Sequence, residues 1–420
     1  LNILLISSTF FRNNLFTLCH LIYTDTFYMK RKWIRWVSWI LLTPIILFVI
    51  LMVLLYVPPV QNLLRREVTA YASKATGMQI QVERIDLRFP LNLLVRGVEV
   101  IQQPDTLLSL ESLNVRVQAW PLIKGKVEVD EVTLSRVAVN SANLMEGMKI
   151  KGVLGRFFLQ SHGVDLSNEI AIINQAELSD THVQLLMNDT TTTPKDTTAS
   201  APVNWKVDLH QLKLKNVSFS MQLPVDSMRM AAHIGEAAID DAQADLKNQF
   251  YGLKKFLLSG TSASYDTGTA QPIEGFDASH IAVRDVRIAL DSLLYKGRDM
   301  NAVIREFTMN ERSGLSVVSL TGRAYSNDSI ISVPGLKLKT PHSEIDLSAH
   351  TYWELVNIPT TGRLSANLNA YIGKEDVMLF AGGLPDSFKE AYPFRPLVIR
   401  AGTDGNLKQM QISRFTVDLP

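Results

Sequence analysis

Three hydrophobic rhythms follow one another along the chain. Residues 37–57 are uncharged and rich in Leu, Ile and Val, long enough to cross a hydrocarbon core of about 30 Å as a helix. Over 60–76 the apolar positions Val60, Leu63, Leu64, Val68, Tyr71, Ala72 and Ala75 recur every three or four residues. That spacing predicts an amphipathic helix, ended by Gly77 as its C-cap. Beyond Gly77 the period changes to two, which predicts strands.

The strands share one pattern: apolar-x-apolar, two polar residues, apolar-x-apolar. It runs through Ile80, Val82, Ile85, Leu87, then Leu93, Val95, Val98, Val100, then Leu108, Leu110, Leu113, Val115. Longer copies are Val127, Val129, Val132, Leu134, Val137, Val139 and Val207, Leu209, Leu212, Leu214, Val217, Phe219. Others include Tyr251, Leu253, Phe256, Leu258, then Ile281, Val283, Val286, Ile288, and finally Met410, Ile412, Phe415, Val417. A step of three would turn a plain strand over, so the polar pair must mark a bulge or a two-residue turn. Pairs such as Glu83-Arg84, Asp130-Glu131, Lys215-Asn216 and Arg284-Asp285 suit bulges, whereas Pro334-Gly335 reads as a turn. The expectation is a mainly β chain whose strands bend repeatedly and hold one apolar face inward. Residues 228–247 are Ala-rich but keep this rhythm and are read as strand, with short helices expected at about 374–381 and 386–391.

The segment around 37–57 carries further signals. Trp33, Trp36 and Trp39 stand at one end and Tyr56 at the other, as interface-seeking aromatics do, and Pro44 is tolerable inside a span. Lys30, Arg31, Lys32 and Arg35 precede it, while Arg65 and Arg66 follow beside Glu67, so the positive-inside rule puts the N-terminus in the cytoplasm. A cleaved signal peptide would have a shorter apolar run and a small-x-small site; here the run ends in Tyr56-Val57-Pro58-Pro59. The expectation is an uncleaved signal-anchor within 29–58, with the remainder exported. The first methionine is Met29, so 1–28 reads as an over-extended start or an atypical leader, the alternative being a genuine extra segment. Helix 59–77 and a β domain over 78–420 follow, interrupted by a Thr-rich linker at 188–202. Asp189-Thr190-Thr191 and Asp196-Thr197-Thr198 in that linker resemble an O-glycosylation sequon, and an unmodified linker is the equal alternative.

Charge is balanced, with 42 basic and 41 acidic residues, which argues against a nucleic-acid partner. The single cysteine, Cys19, excludes a disulfide framework and a cysteine-based metal site. No nucleophile elbow, zinc-protease helix, P-loop or dinucleotide fingerprint is present, and the eight histidines are dispersed. His210 reads as a solvated surface group, and Asp240-Asp241 and Ser343-Glu344 as polar loop residues. The chain is expected not to be an enzyme, and no catalytic residue, metal or cofactor is assigned.

The runs Gly77-Met78-Gln79-Ile80-Gln81-Val82, Leu87-Arg88-Phe89-Pro90, Arg96-Gly97-Val98-Glu99-Val100, 105–117 and Pro121-Leu122-Ile123-Lys124-Gly125, set behind an anchor and a helix, resemble the N-terminal part of TamB-like proteins in the AsmA-like group. The run 307–345 is similar to TamB-like proteins as well, and the likeness covers about 30–420. The resemblance implies an elongated, curved, half-open β-groove of the chorein kind (a β-taco), serving as a conduit between inner and outer membranes. It also implies an outer-membrane barrel partner of the TamA type, met through a C-terminal part not recognisable here. The candidate lipid groove is Ile80, Val82, Val98, Val100, Leu113, Val115, Val132, Leu134, Leu212, Leu214, Val217, Phe219, Val283, Val286 and Ile288. Two alternatives stay open: the same residues could pack a closed sandwich, and the protein could be a scaffold or chaperone offering strand edges to outer-membrane proteins.

Overall fold

The computed structural model describes residues 39, 42–44, 46, 47, 49, 50, 53, 56–88, 91–102, 105–118, 121, 128–145, 148–165, 168–187, 204–358, 360–381, 385–406 and 408–418. The readings at 1–28, Trp33, Trp36, Lys30, Arg31, Lys32, Arg35 and the 188–202 linker lie outside these residues. Every described residue between 39 and 53 is helical and exposed, Trp39, Pro44 and Val53 among them, while Tyr56 stands in a turn beyond. Among the described residues no helix is long and apolar enough to cross a membrane.

The chain divides into two units after Leu64. Helix α1 covers Pro58–Thr76, two residues earlier than its apolar spacing begins; proline is well placed in a first helical turn, where its missing N–H is not needed. Gly77 follows at φ +69°, the left-handed cap that the sequence called for.

Among the described residues the strands form one 18-stranded sheet. In chain order the strands are β1 Gln79–Arg88, β2 Asn92–Gln102, β3 Asp105–Val117, β4 Val129–Met145, β5 Met148–Asp165 and β6 Ile170–Met187. Next come β7 Lys206–Leu223, β8 Met228–Asp245, β9 Phe250–Asp266, β10 His280–Lys296, β11 Asp299–Glu311 and β12 Ser316–Val317. The last are β13 Ser319–Ser326, β14 Ile330–Lys339, β15 Glu344–Tyr352, β16 Leu364–Ile372, β17 Leu397–Gly405 and β18 Met410–Asp418. Short helices α2 (Trp353–Asn357), α3 (Lys374–Phe380) and α4 (Asp386–Ala391) lie between late strands. The expected helices near 374 and 386 are thus present, and the Ala-rich stretch is strand β8.

Among the described residues strands pair antiparallel with their neighbours in sequence, except that β12 and β13 both pair with β11 and not with each other. The β6–β7 pair runs parallel. Among the described residues no pairing joins β1 to β18, so the sheet is open, and substantial strand contacts occur only between ladder neighbours. This is a single layer. Among the described residues no large side chain is fully buried, and most apolar residues facing inward are half-exposed.

Two readings need correction. Pro334-Gly335 is no turn: both residues lie inside β14, whose register against β15 slips between Val333 and Leu336. Proline cannot donate to a ladder, and a bulge accommodates it without a lost bond. Asp240-Asp241 lies within β8 rather than in a loop, with Asp241 at φ +50°.

Candidate functional site

The polar pairs do mark interruptions of the ladders, and a line of interruptions crosses the sheet; at Arg284-Asp285 the register itself shifts as in a bulge. In β1 and β2, Val82 faces Val98 and Arg84 faces Arg96, which leaves Glu83 opposite Gly97. The same skip places Glu111, Arg136, Gly155, Asp180, Asn216, Gly235 and Gly260 in one transverse line from β3 to β9. Left-handed backbone occurs at Gly97, Arg136, Asp180, Asn216, Gly260 and Asp285, with φ between +47° and +60°. One residue out of alternation lets the apolar residues on either side keep the same face. Small residues are needed where neighbouring chains crowd: a Cβ on Gly155 would lie 2.7 Å from the Cβ of Asp180. A Cβ on Gly235 would meet the Gly260 carbonyl at 2.8 Å.

On one side of this crease an apolar row crosses the whole sheet. It runs Leu87, Leu93, Val115, Val132, Leu159, Ala176, Leu212, Ile239, Phe256 from β1 to β9. It continues through Leu290, Ile304, Gly322, Leu336, Leu347, Leu368, Ala401 and Phe415 to β18, missing only the two-residue β12. Between that row and the crease a second row begins Ile85, Val95, Leu113, Leu134, Phe157, Leu178, Leu214 and passes Ala237 and Leu258 to Ile288 and Phe307. No charged residue occupies either row. Directly opposed residues in neighbouring strands share a face. Across the crease, Val82, Val98 and Val217 belong to the nearest row, and Ile80, Val100, Phe219 and Val283 to the one after. Val286 faces Thr261 on the same side. The candidate groove residues therefore stand on one face.

The opposite face is polar and carries exposed ion pairs. Arg136 pairs with Glu111 across the crease. Further on, Asp241 meets Lys254 Nζ at 3.0 Å and His210 Nδ1 at 3.2 Å. Hydrogen bonds from Lys254 first, and His210 second, hold the Asp241 carboxyl below the usual carboxylate range. His210 is exposed, as the sequence reading had it, though with an acidic partner. Such pairs contribute little to stability in water; they keep this face wet.

The two edges differ. Arg65 of α1 donates to the Glu83 carbonyl at 2.7 Å, and Ser73 Oγ accepts from the Ile80 N–H at 3.1 Å, so α1 occupies bonding groups of β1. In β18 every residue is exposed, Phe415 to 65%.

Helix α3 was legible, but its role was not. Its Asp376 is buried and accepts from Ser343 Oγ at 2.5 Å and from Thr340 Oγ1, which ties the helix to the β14–β15 turn. The Phe276 N–H, from the loop after β9, donates to the Leu379 carbonyl at 2.7 Å. Sequence periodicity carries no signal for a contact between segments this far apart. Ser343 is thus more than a polar loop residue.

Among the described residues no group of side chains could hold a metal. The arrangement is that of a one-layer, open β-sheet protein with one continuous apolar face. Against known proteins, the chain matches no family model and no curated sequence.

Proposed function

We propose that the protein is a bridge conducting phospholipid between inner and outer membranes during outer-membrane biogenesis, anchored in the inner membrane by 37–57. In this reading the N-terminus is cytoplasmic and the bulk of the chain is periplasmic. The observation that carries it is the apolar row from Leu87 to Phe415 on a sheet with no second layer. A closed sandwich would cover such a row. Left in water, it is a surface of the size that marks interaction with something apolar. Acyl chains suit it, since each methylene removed from water contributes about 0.8 kcal/mol and needs no polar partner. The bond between Phe276 and Leu379 links the β9–β10 loop to a helix after β16, which supports a sheet curved into a groove. The uncharged helical residues between 39 and 53, all exposed, support the anchor. The resemblance to TamB-like proteins agrees with this reading and adds a TamA-type barrel as the outer-membrane partner.

Photo-crosslinkers at Val115, Val217 and Ile288 in the membrane-bound chain are expected to capture phospholipid. Failure at all three positions would sink the reading. A second reading is a scaffold of a translocation and assembly module, helping to insert outer-membrane proteins. The apolar side chains that β18 exposes, Met410, Ile412, Phe415 and Val417, favour it, since an unfolded chain can pack on them. Crosslinkers at Ile412 and Phe415 that captured unfolded polypeptide and no lipid would support that alternative.

A further inference from the structure

One stretch of the apolar face is partly roofed. Helix α3 borders a half-open pocket of about 290 Å³ lined by Val317, Leu338, Ile345, Ile372, Val377 and Phe380, the last of them 57% exposed. The polar groups that border it, Thr340, Ser343 and Asp376, satisfy one another. Asp376 accepts from both hydroxyls, and Ser343 Oγ also accepts from the Gly373 N–H at 3.0 Å. Both hydroxyl protons are committed to Asp376, so an anionic or carbonyl group entering here would find no free hydroxyl donor among the three. Such a headgroup would lose water without a hydroxyl to replace it, and an anionic one would also meet the Asp376 carboxylate, which is costly. An alkyl chain loses nothing.

The cavity is also continuous with the open face. Leu338 opposes Ile345, which opposes Ala370 and then Ile399, so the lining belongs to an apolar row that runs on into β17. A methylene is about the size of a water molecule, whose share of the liquid is about 30 Å³, so the space holds on the order of ten. The roof is fastened at both ends. The Asp376 network holds its first turn, and Phe276 holds Leu379 at its last. Gly275 permits that second fastening, since a Cβ there would sit 2.5 Å from the Leu379 carbonyl.

We infer that this cavity seats the methyl end of a single acyl chain, with α3 as its roof and the headgroup left outside along the open face. The inference rests on the lipid-carrying reading above, and locates within it one bounded binding site.

The test uses the full chain in membranes and two long saturated fatty acids, one carrying a diazirine near the methyl end and one near the carboxylate. Peptide mapping should find the methyl-end probe on segments containing Ile345 and Phe380, and the carboxylate-end probe elsewhere. Ile345→Trp, which fills the cavity, should abolish that labelling and leave labelling near Val115 and Val217 unchanged. Leu338→Phe is the second variant, should tryptophan unsettle the strand. Equal labelling of the cavity by both probes, or labelling that survives both substitutions, overturns the inference. Labelling near Val115 and Val217 with none at the cavity also overturns it and leaves the conduit standing. No labelling anywhere removes both.

Discussion

Asn216 Nδ2 donates to Asp180 Oδ1 at 2.7 Å across the parallel step of the ladder, and both residues sit at left-handed φ. Asn and Asp tolerate that backbone better than other side-chain-bearing residues, and each supplies a local hydrogen bond. The crease is thus built from residues chosen for their conformation as much as for polarity.

Asn216→Ile should therefore destabilise the sheet by about 1–3 kcal/mol, because a β-branched residue is strained at positive φ. Asn216→Gly keeps the backbone and loses only the side-chain bond, so it should fall within about 1 kcal/mol of the parent. Urea unfolding followed by circular dichroism separates the two. Equal losses would mean that backbone conformation is not what the position selects.

Leu212 lies mid-row and is half-exposed. Leu212→Ala should cost about 1 kcal/mol, below the roughly 2–5 kcal/mol of a leucine truncated in a closed core. Differential scanning calorimetry supplies the number. A loss in the closed-core range would contradict an open face.

Glu311 at the end of β11 is buried. Burial alone would raise its pKa. That effect is outweighed by hydrogen bonds from Ser313, whose N–H lies 2.7 Å away, and from the Ala282 N–H at 3.2 Å, so the carboxyl is lowered. A carboxylate lowered on folding adds stability above its unfolded pKa, near 4.3, and that contribution is lost as pH falls through the folded value. Stability should drop on acidification below about pH 4.3, and Glu311→Gln should flatten that part of the profile while weakening the protein at neutral pH. Urea midpoints at neutral and acid pH, measured for both proteins, check the sign.

Gly275→Ala places a methyl against the Leu379 carbonyl at a position already at φ +84°. It should release α3 and not the sheet. Limited proteolysis should cut within 374–391 earlier than in the parent, with the strand circular-dichroism signal unchanged. Unaltered digestion would show that the Phe276–Leu379 bond does not hold the roof.

By itself the sequence determined the change from helix to strand at Gly77 and the apolar face of strands such as β1 to β4 and β7 to β10, but not β5, β6 or β15 to β17, nor that Pro334-Gly335 and Asp240-Asp241 lie within strands. Alternation and its three-residue stutter are local properties of backbone geometry, readable from Ile80–Leu87 or Val207–Phe219 without any partner. It also located α1 and its Gly77 cap, since capping acts within one turn. The tertiary structure alone decided that the interruptions align from Glu83 to Asp285, that β6 and β7 run parallel and that α1 covers one edge while β18 exposes apolar side chains. It alone brought Phe276 to Leu379 and Asp376 to Ser343. Those outcomes depend on which strands pair and on what packs across the sheet. A rhythm shared by every strand makes each a sterically acceptable neighbour of many others, so it cannot name the pairs. Chain connectivity and the few crowded glycines, Gly155, Gly235 and Gly275, select them.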